Sequence, residues 1–105
     1  MRVELISRKM QVNAVGEYTP ESGELIVLKG SIVSLSLSES KTFRGRKSIE
    51  KAREDTIEGN AVIKDITFKS PSTAANYVTG GSSNGMRLWK TEEGIPIGDL
   101  QKREV

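Results

Sequence analysis

Apolar and polar residues alternate through the first third of the chain. Arg2-Val3-Glu4-Leu5 alternates strictly, Val12 to Tyr18 alternates loosely, and Leu25-Ile26-Val27-Leu28 is the longest uninterrupted apolar run. A two-residue period marks a strand with one buried face, so a short strand is expected in each. The most regular period follows Lys29-Gly30-Ser31, where Val33, Leu35 and Leu37 fall on one side and Ser34, Ser36 and Ser38 on the other. Gly30 interrupts what would otherwise be one run from Leu25 to Leu37; glycine there marks a bulge, a close backbone approach or a plain turn. Strands near 12–18, 25–29 and 31–38 are expected to form an antiparallel sheet whose apolar face is covered by helices. Thr19-Pro20-Glu21-Ser22-Gly23-Glu24 reads as an exposed, slightly irregular hairpin loop.

The period lengthens after Arg46. Ile49, Ala52, Thr56 and Ile57 share one helical face, while Glu50 and Glu54 can meet Lys47, Lys51 or Arg53 on the outside. An amphipathic helix over 46–58 is expected, with Gly59 as its stop. Ala61 to Phe68 returns to strand character. Ser70 suits a helix cap, Pro71 the first helical position and Gly80-Gly81 the exit, which predicts a second helix over 71–79. Its Ala74 and Ala75 permit close approach to the sheet. Gly80 to Gly85 reads as a flexible loop rich in backbone donors, but neither the GxxxxGKS/T nor the GxGxxG spacing is present, so a nucleotide site is unsupported. Met86 to Lys90 reads as a last short strand, Glu92-Glu93-Gly94 as a turn, and Leu100 as the opening of a short C-terminal helix before a frayed 101–105. The expected class is α+β: one domain, 1–105, with a small antiparallel sheet and two main helices.

Composition narrows the chemistry. The chain has no cysteine and no histidine, which removes thiolate nucleophiles, imidazole bases and the usual zinc, copper and haem ligands. A hydrolase or nuclease would need clustered carboxylates for a metal; Glu54, Asp55 and Glu58 lie on one helix, and a solvated face accounts for them more simply. No catalytic residue, cofactor or metal site is expected. No segment has the apolar length of a membrane span or of a secretory signal, so the expectation is a soluble cytoplasmic protein without a membrane partner.

Charge is unevenly spread. The net charge is +2, yet Lys41, Arg44, Arg46, Lys47, Lys51 and Arg53 face only Glu50 between 41 and 53, a net of +5, and the remainder of the chain carries −3. A basic segment on a near-neutral chain is the pattern of a local polyanion contact, because Lys and Arg release counterions from phosphates. Cations at a helix start also oppose the macrodipole, a conflict that a bound phosphate would relieve. A solvated helix entrance produces the same pattern.

Several motifs carry a family resemblance. Phe68-Lys69-Ser70-Pro71-Ser72-Thr73-Ala74-Ala75, then Gly80, Asn84-Gly85, Trp89-Lys90 and Gly94, together with Ala14-Val15-Gly16 and Leu25 to Ser31 upstream, resemble the bacterial domain of unknown function forty-three fifty-seven. The likeness runs from about Val12 to Leu100. Members of that family are often appended to GIY-YIG nucleases or restriction-modification proteins, and the C-terminal half is also similar to the domain associated with restriction enzymes and adenine methylases. The resemblance implies an accessory DNA-recognition role. No GIY-YIG motif precedes Met1, so it implies a module that acts alone, serves a nuclease or methylase in trans, or was cut from a longer protein.

The leading expectation is therefore a non-catalytic nucleic-acid-binding module. Lys41, Arg44, Arg46, Lys47 and Lys51 would contact phosphates; Asn84, Arg87 and Lys90 would sit nearer bases or backbone; and Trp89 or Tyr77 would stack on an exposed base. The alternative is a protein-interaction module, docking through a sheet edge or as a homodimer.

Overall fold

In the computed structural model, which describes residues 1–35 and 45–100, the first two alternating segments pair as a hairpin. Strand β1 (Arg2–Ser7) runs antiparallel to β2 (Val12–Tyr18), with Arg2 opposite Glu17 and Ser7 opposite Val12. β2 pairs with β3 (Leu25–Val27), and β3 pairs with a later strand at Ile66–Phe68, giving a four-stranded antiparallel sheet. Directly opposed residues share a face. Val3, Gly16, Val27 and Ile66 thus form one row toward the core, and Arg2, Glu17, Ile26 and Thr67 form the neighbouring row on the open face.

Gly30 sits in a turn closed by the Ser31 N–H on the Leu28 carbonyl at 3.2 Å. Its φ is 96°, a left-handed conformation that glycine accepts without steric cost, and a Cβ added there would meet nothing within 4 Å. Across the turn the Ser31 hydroxyl replaces the ladder, accepting from the Val15 N–H at 3.0 Å and donating to the Val15 carbonyl at 3.2 Å. Pairing resumes at Ile32, which exchanges both backbone bonds with Asn13 and bridges to Ala61. The expected strand over 31–38 is corrected over its described part. Ile32 makes only isolated bridges, Val33 is buried, and Leu35 is 75% exposed instead of sharing the apolar side. Residues 36–38 lie outside the described residues.

Helix α1 (Arg46–Thr56) buries Ile49 and Thr56. It ends two residues before the expected Glu58, because Ile57 and Glu58 turn extended as β4 (Ile57–Glu58) and pair with β5 (Ala61–Val62) around Gly59-Asn60. Gly59 has φ 66° at the first turn position, so it serves this tight turn and not the helix stop. The single strand expected from Ala61 to Phe68 is likewise two pieces, β5 and β6 (Ile66–Phe68). The break lies beside the Lys29-Gly30 turn, where Asp65 Oδ1 accepts the Lys29 N–H at 2.8 Å.

Helix α2 (Pro71–Thr79) has the expected ends. The Ser70 hydroxyl accepts from the Thr73 N–H at 3.2 Å, Pro71 opens the helix, and Gly80 closes it at φ 77°. Ala74, Ala75, Tyr77 and Val78 are fully buried, and the helix packs on β2, β3 and β6. The expected strand at Met86 to Lys90 is instead a short helix, α3 (Gly85–Leu88), capped by the Asn84 side chain, which accepts from the Met86 N–H. Strand character survives only at Lys90, which exchanges both backbone bonds with Glu4 at 2.7 and 2.9 Å. A final short helix, α4 (Ile97–Leu100), opens at Ile97, three residues before Leu100, where the sequence suggested an opening. The fold is α+β, with helices on one face of the sheet.

Candidate nucleic-acid interface

The basic segment is thinner in three dimensions than along the chain. Arg53 leaves it altogether. It falls four residues after Ile49 and three before Thr56, on the buried side of α1, and its guanidinium donates to the carbonyls of Ser34 at 2.8 Å and Tyr77 at 2.7 and 3.1 Å. Its carbon lies 5.9 Å from the centre of the Tyr77 ring. Burial pushes the Arg53 guanidinium below its usual value, and the Tyr77 hydroxyl acts in the opposite direction. The helical spacing already carried this signal, which sequence reasoning missed by counting Arg53 with the outward charges.

Of the remaining cations, Arg46 is held by Glu50 at 2.8 Å, one helical turn on. Lys47 and Lys51 are exposed. Lys41 and Arg44 lie outside the described residues. The first turn of α1 holds no acid, and its N-cap Gly45, at φ 79°, provides no side-chain cap. Among the described residues no side chain caps the first N–H groups of the helix, beside Arg46 and Lys47, and both features favour negative charge there. Glu54, Asp55 and Glu58 are exposed at the opposite end.

The second expected set lies elsewhere. α1 meets α2 near its C-terminus, through Arg53 and through the Thr56 and Tyr77 hydroxyls, 2.6 Å apart. α3 meets α2 at its N-terminus, where a Cβ on Gly85 would stand 2.2 Å from the Pro71 carbonyl. Those contact points are separated by most of a nine-residue helix, roughly 10 Å at 1.5 Å per residue. Arg87 and Lys90 are exposed, and the Asn84 side-chain oxygen is occupied as a cap.

The stacking expectation is corrected. Trp89 and Tyr77 are both 0% exposed, so neither offers a ring face to a base. The Trp89 indole N–H donates to the Pro71 carbonyl at 3.1 Å, and Tyr77 packs against Phe68 with ring centres 4.9 Å apart. A lone tryptophan in a small domain has no better place to bury its area, provided its N–H finds an acceptor.

The glycine-rich loop is also not the open donor array expected. The Gly81 N–H bonds the Thr79 hydroxyl, Ser83 N–H the Asn76 side chain and Gly85 N–H the Ser72 hydroxyl. Its amides are largely spent on the protein itself. Among the described residues no group of three or more His, Cys, Asp or Glu side chains could hold a metal ion, and no helix is long and apolar enough to cross a membrane.

Residues 5–101 match the sequence signature of DUF4357, described as a domain of unknown function. The chain belongs to this family. In this chain the SPS-x-AA and NG-x-x-x-WK segments form the α2 start, the α3 cap and the buried Trp89. No curated protein and no solved structure matches the chain.

Proposed function

We propose that this DUF4357 domain is a non-catalytic nucleic-acid-binding module, an accessory DNA-recognition unit that serves a nuclease or restriction-modification protein in trans. The observation that carries the reading is the start of α1. Arg46, Lys47 and Lys51 occupy its first half, the first turn has no acid, and Gly45 leaves the N-terminal amides without a side-chain cap. Phosphate oxygens bring negative charge and acceptors to such a turn. Glu54, Asp55 and Glu58 repel phosphates from the other end, so a duplex meets α1 at its first turn and not along its length.

Titration of the intact chain with methylated and unmethylated duplex across a salt series tests this. Binding at low salt that weakens with rising salt supports it; no binding at low salt, or a flat salt slope, removes it.

A second reading, docking to protein, is favoured by the outer edge of β1. Met1 exchanges backbone bonds with Tyr18 at 2.7 and 2.8 Å, which turns the N–H and C=O groups of residues 2, 4 and 6 outward. Lys90 takes those of Glu4, and Ile6 stays on the edge with its side chain 59% exposed. This reading predicts self-association or a protein partner insensitive to salt, read from the molecular mass in solution.

A further inference from the structure

Arg87 and Lys90 stand on a tightly held backbone. Gly85 seats α3 against Pro71 so closely that a Cβ would lie 2.2 Å from the Pro71 carbonyl. Trp89, between the two cations, is fully buried, its indole N–H bonded to Pro71 and its carbonyl accepting from the Ile97 N–H at 3.0 Å. Lys90 exchanges both backbone bonds with Glu4. From this fixed base the Arg87 and Lys90 side chains reach solvent, and among the described residues neither is in an ion pair.

Both line a groove of about 550 Å³ between α3 and α4, with Met86, Pro96, Gly98 and Asp99. Such a volume is within the range of sites that take small molecules. Gly98 permits the floor to close, since a Cβ there would lie 3.1 Å from the Met86 carbonyl oxygen. Met86 and Pro96 add apolar wall, and Asp99 is the one acid among the described lining residues.

We propose that this groove binds a small oxyanion carried on an apolar or aromatic body, a phosphate ester or a carboxylate. Arg87 offers a planar fork of donors and Lys90 a point charge three residues on. A polymer of phosphates fits less well. Lys90 also borders a smaller groove lined by Glu4 and Glu92, so a phosphate chain running past it meets acids on both sides, whereas a single oxyanion rests between the two cations. The site needs neither α1 nor a nucleic acid, and so goes beyond the reading above.

The test is an amide-resolved NMR titration of the intact chain at constant ionic strength with inorganic phosphate, acetate and adenosine monophosphate. Saturable shifts are expected at Met86 to Lys90 and Ile97 to Asp99. Arg87→Gln abolishes them and Lys90→Gln weakens binding about tenfold, the scale of one charge-assisted hydrogen bond. The Trp89 indole N–H resonance, unmoved in both variants, reports that the fold is intact. Lys47→Gln with Lys51→Gln leaves the oxyanion shifts unchanged while lowering duplex affinity, so the two readings fail separately. Saturation by phosphate alone assigns a phosphate ester and by acetate alone a carboxylate, and either upholds the site. Shifts that do not saturate, that chloride reproduces, or that survive Arg87→Gln overturn it.

Discussion

The Arg53 guanidinium holds the Tyr77 carbonyl with two donors, Nε at 3.1 Å and Nη2 at 2.7 Å. Tyr77 lies in the last turn of α2, where unpaired carbonyls and the negative end of the macrodipole collect. A cation from α1 therefore completes the end of α2, and Nη1 extends the tie to Ser34. Arg53→Ala is expected to lower stability by about 2–3 kcal/mol, because partly buried carbonyls lose charged donors. Arg53→Lys should recover part of that loss, since an ammonium cannot reproduce the fork. Urea denaturation midpoints measure both; an Arg53→Lys variant as stable as the wild type would show that the fork geometry contributes nothing.

Tyr77 makes stability depend on alkaline pH. Burial raises its hydroxyl above the ordinary tyrosine value, against the opposing effects of the Thr56 hydrogen bond and the Arg53 charge. A raised folded value means that the contribution is fully present below the unfolded value, about 10, and is lost as pH rises through the higher folded value. The informative quantity is the stability difference between the wild type and Tyr77→Phe, in which every group common to both cancels. That difference should move in favour of Tyr77→Phe from about pH 9 to pH 11. A difference that stays constant across that range would assign the dependence to other groups.

Two glycines separate close packing from backbone conformation. At Gly85 an added Cβ meets only backbone, the Pro71 carbonyl carbon and oxygen at 2.2 Å and the Ser72 nitrogen at 2.4 Å. Gly85→Ala should cost about 3 kcal/mol, since helix ends cannot yield as a flexible side chain does. Gly94 has φ 85°, and a Cβ added there would meet nothing within 4 Å. Gly94→Ala should cost only the left-handed strain, about 1–2 kcal/mol. Thermal melts of the two variants should rank in that order.

For duplex binding, each phosphate contact contributes about one unit of salt slope. Lys47→Gln and Lys51→Gln should each reduce the slope by about one. Arg46→Gln should reduce it less, because Glu50 already holds Arg46 at 2.8 Å. Trp89 emission should be unchanged by saturating duplex, as the ring has no exposed surface. Slopes identical to wild type in both lysine variants would move the contact away from α1.

Signals that act over a few residues were legible in the chain itself. Ser70, Pro71 and Gly80 mark the ends of α2 because capping and backbone sterics need no partner from elsewhere. The alternation of β1 and β2 and the interruption at Gly30 follow equally from local geometry. The candidate site was legible only as a count of charges. Which cations remain available depended on Tyr77 and Ser34 claiming Arg53 and on Glu50 claiming Arg46.

The segment from Ile66 to Trp89 shows the division most clearly. Its sequence alone determined a strand, a capped helix and a glycine exit, because each rests on interactions between near neighbours. Only the tertiary structure decided that Met86 to Leu88 coils instead of extending, since Gly85 packs on Pro71 fourteen residues earlier. It also decided that Trp89 is a core anchor and that Asp65 breaks the strand at Lys29. These outcomes depend on contacts between segments far apart in sequence, where burial and hydrogen-bond satisfaction outweigh local preference.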